Sequence, residues 1–337
     1  MLRVGLLGAG RIGRVHAANI AGHPGSRLVA VSDIDAEAAA TLARLHGAET
    51  RATEAILADE GVDAVLIATS TDTHADLIEA ACAAGKAVLC EKPVDLDLGR
   101  ALACQAAARR GGQPVMVGFN RRFDPNFARL KEAFDAGEIG RGEMLSITSF
   151  DPGPPPVSYI RVSGGLFRDM TIHDFDLACW IMGGAPAEAV AVGSSLVDEG
   201  IAAAGDVDTA VVALRWEDGR LAVIRNSRRA VYGYDQRIEI LGSGGLLAAE
   251  NVLESTVRRI TEAGDTAAKP EHFFLERYAR AYAAEWAAFV DAVARGTEPP
   301  VTLEDGVTAL AVAEAATRSA ATGRAEAITP AMLGAAA

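Results

Sequence analysis

The chain lacks the features that mark membrane, nucleic-acid-binding and disulfide-stabilised proteins. Its 337 residues include few aromatic side chains (5%) and no run of about 18 apolar residues, the length that a transmembrane helix needs. The four cysteines, Cys82, Cys90, Cys104 and Cys179, form no CxxC pair, which is typical of reduced thiols in a cytoplasmic protein. The formal charge is −13 without a basic stripe, so neither nucleic acid nor membrane is an expected partner.

Two further features fit a cytoplasmic protein with buried thiols. The N-terminus runs from Met1 into a glycine motif without a basic flank or a cleavage site, so we expect no signal peptide. Cys90 stands two residues before Lys92 and is open to interpretation as a nucleophile. We favour a buried strand cysteine, because that is where unpaired cysteines most often lie.

The first third of the chain alternates short apolar runs with alanine-rich helical patterns. Strands are predicted at Leu2–Leu7, Arg27–Ser32, Ala64–Ala68, Lys86–Cys90 and Pro114–Gly118. Helices are predicted between them at Arg11–Gly22, Ala36–His46, Thr73–Ala84 and Leu98–Arg110. This alternation predicts an α/β fold with a doubly wound parallel sheet that is covered on both faces.

The pattern changes after Phe119, and the length fits about two domains. Strands are predicted at Glu143–Phe150, Ala187–Ser194, Asp208–Trp216, Arg220–Ser227 and Gln236–Leu241. The later ones predict a meander of antiparallel strands, with one buried face and one face that is wet or available for a partner. Helices are predicted at Pro125–Ala136, Phe274–Arg295 and Leu303–Ala321.

A glycine motif follows the first predicted strand and opens the first predicted helix. Its G-x-G-x-x-G pattern contains Gly8, Gly10, Arg11, Ile12 and Gly13. Such glycines permit a tight turn, close approach of a pyrophosphate and helix–strand packing, and the helix N-terminus offers N–H groups to phosphates. In this context of strand, turn and helix, the motif predicts dinucleotide binding.

Asp33 stands twenty residues after Gly13, at the end of the second predicted strand. Its carboxylate would accept hydrogen bonds from the adenosine ribose and repel a 2′-phosphate, so NAD is predicted rather than NADP. Arg11 is close enough to leave some use of NADP open. Taken alone, Asp33 would be interpreted as a helix N-cap near Asp35.

Two short segments follow further predicted strands, at the sheet edge where open α/β folds bind ligands. Thr69 and Ser70 are candidates for the nicotinamide half of the cofactor site, although the neighbouring threonines also suit helix capping. Lys92 lies between Glu91 and Pro93, and the proline ends the strand and favours extended backbone at the lysine. We interpret Lys92 as a reactive amine rather than a surface lysine, because of the motifs around it.

A third group of polar residues lies in the second half of the chain. On a helix, Asp169, His173 and Asp176 fall at i, i+4 and i+7, so we expect their side chains on one face. An aspartate one turn from a histidine orients the ring and raises its basicity, which suits a general base near neutral pH. A lone Asp–His pair is more often structural, and the other histidines form no cluster, so no metal site is predicted.

These motifs occur together, in this order, in one known family. The glycine motif, Glu91-Lys92-Pro93 and Asp169-x-x-x-His173 make nearly the whole chain resemble the glucose–fructose oxidoreductase / inositol dehydrogenase / rhizopine catabolism family of NAD(P)-dependent dehydrogenases. The segments 118–124, 163–176 and 232–235 most resemble members that oxidise myo-inositol at carbon 2.

The resemblance implies an NAD-binding Rossmann domain over residues 1–120 and a substrate-binding and oligomerisation domain over 121–337. The second domain is expected to contain an open, mainly antiparallel sheet, through which members usually assemble into tetramers. The implied cofactor residues are Gly8, Gly10, Arg11, Ile12, Gly13, Asp33, Thr69, Ser70, Glu91 and Lys92.

The resemblance also implies a catalytic trio of Lys92, Asp169 and His173. His173 would take the proton from the substrate hydroxyl while hydride leaves the same carbon for the nicotinamide. Lys92 would hydrogen-bond that oxygen and stabilise its developing negative charge. Asp169 would support His173 or Lys92 electrostatically.

Arg121, Asp151, Asp176 and Tyr234 match family positions that face a polyol. Some inositol dehydrogenases carry asparagine where Asp151 stands, and a carboxylate lacks the amide's donors, so the preferred stereoisomer stays open. Without the resemblance, Arg121 and its neighbour Arg122 would be expected to be a solvated pair before a helix. Tyr282, on a late helix with Glu285, is expected either to reach the cofactor or to pack in the core.

The main hypothesis is NAD-dependent oxidation of myo-inositol to its 2-keto product, with a small polyol or sugar as substrate and a homotetramer as the assembly. The nearest alternative is a dehydrogenase of another inositol isomer, an aldose or a pyranose. A second class is a non-catalytic dinucleotide-binding regulator, against which the presence of Lys92, Asp169 and His173 argues.

Overall fold

The computed structural model describes residues 1–334, which form two compact units. The first unit comprises Met1–Asn120 and Ala281–Leu310, with Leu333 and Gly334. The second comprises Arg121–Arg280 and Ala311–Met332. Within the described range, no helix is long and apolar enough to cross a membrane.

The first unit contains a six-stranded parallel sheet. Its strands are β1 (Leu2–Leu7), β2 (Ser26–Ser32), β3 (Glu49–Thr50), β4 (Ala64–Ile67), β5 (Ala87–Glu91) and β6 (Val115–Gly118). They lie in the order β3-β2-β1-β4-β5-β6 with every neighbouring pair parallel. The helices between them are α1 (Arg11–Gly22), α2 (Ala36–His46), α3 (Thr53–Ala58), α4 (His74–Ala83) and α5 (Leu98–Gly111). Every residue of β4 and β5 is buried, so the predicted doubly wound sheet is confirmed.

The strands and helices predicted for this part of the chain end within one residue of those observed. The pair β3 and α3 was not predicted. β3 has two residues, both exposed, so it shows no apolar run. α3 is six residues long, and its N-cap residue Ala52 gives no capping signal.

The second unit combines a seven-stranded sheet with short helices. In chain order, the elements of residues 121–280 are α6 (Pro125–Asp135), β7 (Gly142–Phe150), α7 (Val157–Ser163), α8 (Ile172–Met182), β8 (Glu188–Ser194), α9 (Glu199–Ala203), β9 (Thr209–Arg215), β10 (Leu221–Ser227), β11 (Asp235–Gly242), β12 (Gly245–Ala249), β13 (Arg259–Thr261), β14 (Gly264–Thr266) and α10 (Phe274–Arg277). The chain continues through α11 (Ala279–Arg295), α12 (Leu303–Thr322) and β15 (Glu326–Ala327).

The large sheet has the order β12-β11-β7-β10-β9-β8-β15. Its neighbours are antiparallel except β7 and β10, which are parallel. The prediction of a mainly antiparallel sheet is therefore confirmed, but the prediction that its later strands form one continuous meander is wrong. The strands β8, β9 and β10 do run as a meander, and β11 then pairs on the far side of β7, because β7 occupies the edge of β10.

Residues 281–310 belong with the first unit, although the sequence-based division places them with the second domain. On α11, the indole N–H of Trp286 donates to the Ser26 hydroxyl (2.9 Å), and both side chains are buried. The N–H of Val117 on β6 donates to the Val301 carbonyl (3.2 Å). The division into an NAD-binding domain and a substrate-binding domain after residue 120 stays a prediction.

Candidate active site

The glycine motif has the geometry of a phosphate-binding turn. Gly8 has a φ of +106°, and a Cβ there would lie 2.3 Å from the Ala68 carbonyl oxygen. A Cβ at Gly13 would lie 2.1 Å from the Gly8 carbonyl oxygen. At Gly10, no described atom lies within 4 Å of an added Cβ. The fold itself thus requires the first and third glycines, whereas the second borders open space, as the predicted approach of a pyrophosphate needs.

The N-terminus of α1 completes this turn. Gly10 is the N-cap and offers no side chain to the first-turn N–H groups, which point toward the space beside the turn. Arg11 is exposed and Ile12 is half-buried on that first turn. These residues fit a dinucleotide, because backbone N–H groups and the helix dipole favour its phosphates.

Asp33 is fixed beside the glycine motif. One carboxylate oxygen accepts a hydrogen bond from the Ala9 N–H (2.5 Å), and the other accepts from the Asp35 N–H (2.8 Å). The N-cap of α2 is Asp35, whose side chain accepts from the N–H groups of Glu37 and Ala38. Helix capping is therefore the role of Asp35, and Asp33 lies directly after β2, at the position predicted for ribose binding.

Thr69 and Ser70 follow β4. The hydroxyl oxygens of Thr69 and Thr73 are 2.7 Å apart, and the Thr73 hydroxyl donates to the Ser70 carbonyl (2.8 Å). Thr73 is the N-cap of α4 but makes no side-chain capping bond, so the capping interpretation is wrong for this threonine. Its hydroxyl instead fixes the loop that carries the two cofactor candidates.

Lys92 directly follows β5, is half-buried and forms a cis peptide bond with Pro93. The residue before it, Glu91, is tied to α1, since its Oε1 lies 2.8 Å from His16 Nε2 and both side chains are buried. The ring of Tyr282 packs edge-on against His16, with centroids 5.6 Å apart. Packing in the core is thus the observed setting of Tyr282.

Glu285, one turn beyond Tyr282 on α11, is an unusual buried acid. Its side chain is fully buried, and among residues 1–334 neither carboxylate oxygen has a hydrogen-bond partner. Burial first, and the charge of Glu91 second, raise the pKa of Glu285 well above its ordinary value. This environment therefore favours the protonated form of Glu285 over the charged form.

In the second unit, Asp169 lies in a π-helical turn, Phe167–Thr171, directly before α8. The prediction of one regular helix across Asp169, His173 and Asp176 is wrong in its first turn. The i→i+5 bonding of a π turn breaks the 3.6-residue spacing on which the prediction depended, and such turns are frequent at functional sites.

The carboxylate of Asp169 is held from two sides. It accepts a hydrogen bond from the Tyr159 hydroxyl (2.9 Å) and pairs with the guanidinium of Arg228 (3.2 Å), which is buried. His173 is half-buried on the first turn of α8. The structure thus gives the candidate base a helical position directly after a carboxylate of fixed orientation.

Asp176 is buried and paired with Arg122. The Arg122 Nε donates to Asp176 Oδ2 (2.9 Å) and its Nη2 donates to Oδ1 (2.5 Å), which is a bidentate contact. The guanidinium also lies over the Trp180 ring, 5.9 Å from its centroid. The expectation of a solvated Arg121–Arg122 pair is therefore wrong, since both side chains are buried.

Arg121 occupies the centre of a buried polar network. Its Nη1 donates to Asp174 Oδ1 (2.6 Å) and to Ser149 Oγ (3.3 Å), and its Nη2 donates to the Tyr234 hydroxyl (3.2 Å). The other oxygen of Asp174 accepts from the Asn226 amide (2.7 Å). Two of the four predicted substrate residues, Arg121 and Tyr234, are thus in direct contact.

Asp151 follows β7 and is half-buried, with its backbone bonded to Ser227 and Ala230. Burial raises the pKa of its carboxyl to about 6, although the positive charges of Arg228 and Arg121 lower it. Burial likewise raises the pKa of the Tyr234 hydroxyl well above its ordinary value, so this phenol stays protonated. The region therefore offers a neutral donor and a carboxyl that ionises near pH 6.

Several residues of these networks were not predicted from the sequence. Asp174, Asn226, Arg228, Tyr159 and His16 all contact a candidate site residue or its network. The sequence did contain a signal for Asn226. Buried residues alternate along β10, and Asn226 continues the series of Ala222 and Ile224.

The prediction that Cys90 is a buried strand cysteine is confirmed, and Cys82, Cys104 and Cys179 are buried thiols outside any disulfide as well. Burial raises the pKa of the Cys90 thiol well above its ordinary value, which argues against a nucleophile. No group of three or more His, Cys, Asp or Glu residues in the described part of the chain is arranged to hold a metal.

A parallel doubly wound sheet with a phosphate-binding glycine turn, joined in one chain to an open antiparallel sheet, defines a two-domain dinucleotide-dependent oxidoreductase. Two family models match the chain. Residues 2–119 match the oxidoreductase family with an NAD-binding Rossmann fold, and residues 127–248 match the GFO/IDH/MocA C-terminal domain. The chain belongs to the GFO/IDH/MocA family.

Several members of the family are similar to this chain over nearly their whole length. An inositol 2-dehydrogenase of Rhizobium meliloti is 50% identical over 95% of this chain and 97% of its own length. A myo-inositol 2-dehydrogenase of Thermotoga maritima is 48% identical over 94% and 96%. A crystal structure of a putative myo-inositol dehydrogenase from Sinorhizobium meliloti matches with a TM-score of 0.95 and 49% identity, covering 98% of this chain and 100% of that one.

A more distant structure holds ligands. The scyllo-inositol dehydrogenase of Lactobacillus casei, solved with NAD(H) and scyllo-inositol, has a TM-score of 0.91 and 28% identity, covering 97% of this chain and 99% of that one. The family, the Rossmann fold and NAD as cofactor, each predicted from the sequence, are confirmed by these comparisons.

Proposed function

We propose that the chain is an NAD-dependent dehydrogenase that oxidises myo-inositol at carbon 2 to the 2-keto product, scyllo-inosose. The observation that carries the proposal is its likeness to inositol 2-dehydrogenases over almost the full length of both chains. In the reaction, the C–H bond breaks as a hydride and the O–H bond releases a proton. When bound, NAD supplies the nicotinamide that accepts the hydride.

The cofactor is assigned to the first unit. Gly8, Gly10, Arg11, Ile12 and Gly13 form the pyrophosphate turn, and Asp33 binds the ribose. Thr69, Ser70, Glu91 and Lys92 are assigned to the nicotinamide half, at the carboxyl ends of β4 and β5. The support is that Gly10 borders open space and that Asp33 is held at the turn.

The chemical step is assigned to Lys92, Asp169 and His173. His173 takes the hydroxyl proton, and Lys92 stabilises the negative charge that develops on that oxygen. Asp169 favours the protonated form of His173 through its charge. The support is a carboxylate fixed by Tyr159 and Arg228 one turn before a half-buried histidine.

The polyol is assigned to Arg121, Asp151, Asp176 and Tyr234. A ring that bears a hydroxyl on every carbon needs donors and acceptors at fixed positions, and these four supply both. Asp176 is paired with Arg122, so it acts on the polyol as part of a bidentate ion pair of fixed orientation.

Oxidation of a different inositol isomer is the second candidate. Asp151 favours it, because an ionised carboxylate accepts hydrogen bonds and donates none, and the pKa of about 6 lets this carboxyl change charge. The scyllo-inositol dehydrogenase of Lactobacillus casei illustrates that the fold also accommodates that stereoisomer.

The proposed assembly is a homotetramer in the cytoplasm. Alternate residues of β8, β9 and β10 present apolar side chains to solvent, namely Val190, Val192, Val211 and Leu221. Val192 on β8 is the cross-strand partner of Val211 on β9, so exposed apolar side chains are neighbours here and support an interaction surface between copies of the chain.

The proposal is tested by NADH formation across a polyol panel that includes myo-inositol, scyllo-inositol, other inositol isomers, glucose and xylose, with NAD and NADP in parallel. We expect the highest kcat/KM with myo-inositol and NAD. Turnover of a hexose without any inositol turnover would contradict the main assignment. An inactive protein that binds NAD and a specific protein would support the regulator instead.

A further inference from the structure

His74 links the two loops that carry the nicotinamide-side candidates of the first unit. It is the first residue of α4 and is almost completely buried (1% exposed). Its Nδ1 lies 2.8 Å from the Pro93 carbonyl oxygen, and its Nε2 lies 3.1 Å from the Thr69 carbonyl oxygen. One imidazole thus contacts the residue after Lys92 and the residue before Ser70.

Only the His74 ring can donate the hydrogen bonds in these two contacts. Both partners are backbone carbonyls, which accept hydrogen bonds and cannot donate them. A neutral imidazole carries one N–H, so it can donate to one of the two carbonyls at a time. An imidazolium donates to both carbonyls, and in either form the shorter contact is the one between Nδ1 and Pro93.

The contact between His74 and Pro93 matters because Pro93 directly follows Lys92. The strands β4 and β5 are paired, with Ile67 opposite Cys90, and the sheet ladder ends there. Beyond this point, the two hydrogen-bond contacts of the His74 ring join the Thr69 loop to the Pro93 loop. A displacement of the Pro93 carbonyl would move the backbone of Lys92, and misplacing a catalytic group by about 1 Å can cost roughly 100-fold in rate.

We propose that His74 is a positioning residue, which fixes Lys92 for the chemical step by donating its Nδ1 proton to the Pro93 carbonyl. The inference rests on the proposed function, because it presumes that Lys92 acts on the reacting oxygen. His74 itself touches neither cofactor nor substrate in this assignment.

Two substitutions separate the two ring nitrogens. Asparagine places its amide nitrogen at the chain position of Nδ1, and glutamine places it at that of Nε2. His74→Asn should retain the bond to Pro93 and keep kcat within about threefold of the wild type. A threefold change corresponds to about 0.7 kcal/mol in the activation free energy. His74→Gln should retain only the Thr69 contact and lower kcat by roughly 10- to 100-fold.

Comparing kcat with the melting temperature of each variant distinguishes a positioning role of His74 from a role in folding. We expect the melting temperatures of the two variants to be similar, with little change in the Kd for NADH, so that the loss in His74→Gln falls on kcat. Exposed His272→Gln serves as the matched control and should behave as the wild type. Equal kcat in His74→Asn and His74→Gln, or losses that follow the melting temperature, would overturn the proposal.

A second measurement does not depend on the substrate. Reductive methylation of the substrate-free protein, followed by mass spectrometry, reports the accessibility of Lys92, with exposed Lys269 as the internal reference. The Lys92 labelling rate should change in His74→Gln and not in His74→Asn. If the wild type oxidises no polyol, the proposed function fails while this result still tests His74; an unchanged labelling pattern would overturn the positioning role.

Discussion

Arg121 and Asp174 form an ion pair in the interior of the second unit, with 2.6 Å between Nη1 and Oδ1 and side chains 4% and 0% exposed. Asn226 and Gln236 also donate to Asp174. Burial raises the pKa of Asp174, and the charge of Arg121 opposes this rise. The carboxylate therefore fixes the guanidinium that donates to Tyr234, so the candidate polyol site depends on a buried network behind it.

Replacing Asp174 should destabilise the fold more than removing a surface carboxylate does. Asp174→Ala leaves a buried guanidinium without its anion, and we expect the free energy of unfolding to fall by about 3–5 kcal/mol. Urea denaturation measures this loss. Asp218→Ala, which removes the partner of Arg220 at the surface, should cost about 0–1 kcal/mol. Similar losses in both variants would contradict the buried role.

Replacing Lys92 should separate cofactor binding from chemistry. In Lys92→Ala, the glycine turn and Asp33 are intact, so we expect the Kd for NADH to change little. The variant should lose at least about 100-fold in kcat, the usual cost of removing a group that stabilises a developing oxyanion. Isothermal titration and steady-state kinetics give the two values, with Lys269→Ala as the control. Retained turnover in Lys92→Ala would remove the lysine from the mechanism.

The carboxyl of Asp151 should make polyol binding depend on pH. Because its pKa is about 6, it is a neutral acid below that pH and a charged acceptor above it. We expect KM for the polyol to fall about tenfold as the pH rises through 6, the value of one hydrogen bond to a charged group. Asp151→Asn should remove this dependence and alter the relative kcat/KM of the inositol isomers. The same pH profile in both proteins would show that another group titrates.

Most strands and helices of the first unit were predictable because each of them has a local cause. Apolar runs mark β1 and β4, and the glycine motif marks the start of α1. The short strand β3, with two exposed residues, has no such cause. The parallel contact of β7 with β10 was not predictable either, since strand order depends on long-range pairing and leaves no local pattern.

The residues of the candidate site were predictable where a motif carries them, and their partners were not. Asp169 and His173 stand in a recognisable sequence motif, but the π turn that contains Asp169 follows from packing, and the sequence contains no residue that requires it. Arg228 pairs with Asp169 across 59 positions, a separation over which periodicity carries no information. Arg122 has a buried carboxylate partner, Asp176, that no local spacing indicates.

Charge on the exposed apolar face of the large sheet should disrupt the proposed tetramer. Val192 on β8 is 71% exposed, so Val192→Asp places no charge in the monomer core. If copies of the chain pack through this face, the variant buries a carboxylate at the contact and should dissociate, because an unpaired buried charge costs several kcal/mol. Sedimentation velocity measures the assembly state, with Glu298→Gln, which replaces an exposed acid of the first unit, as the control. An unchanged sedimentation coefficient would place the interface elsewhere.

Removing the ionisable group of Glu285 should stabilise the protein at alkaline pH. The folded-state pKa of Glu285 lies well above its ordinary value of 4.5, so the folded protein binds this proton more tightly than the unfolded chain does. The stability that results is fully present below the unfolded pKa and is lost as the pH rises through the folded pKa. Glu285→Gln resembles the neutral acid and cannot ionise, so its Tm relative to the wild type should increase with pH. Thermal unfolding across the pH range tests this, and Glu298→Gln, which replaces an exposed acid, should show no such trend. A wild-type advantage that grows with pH would mean that the ionised form of Glu285 is the one that stabilises the fold.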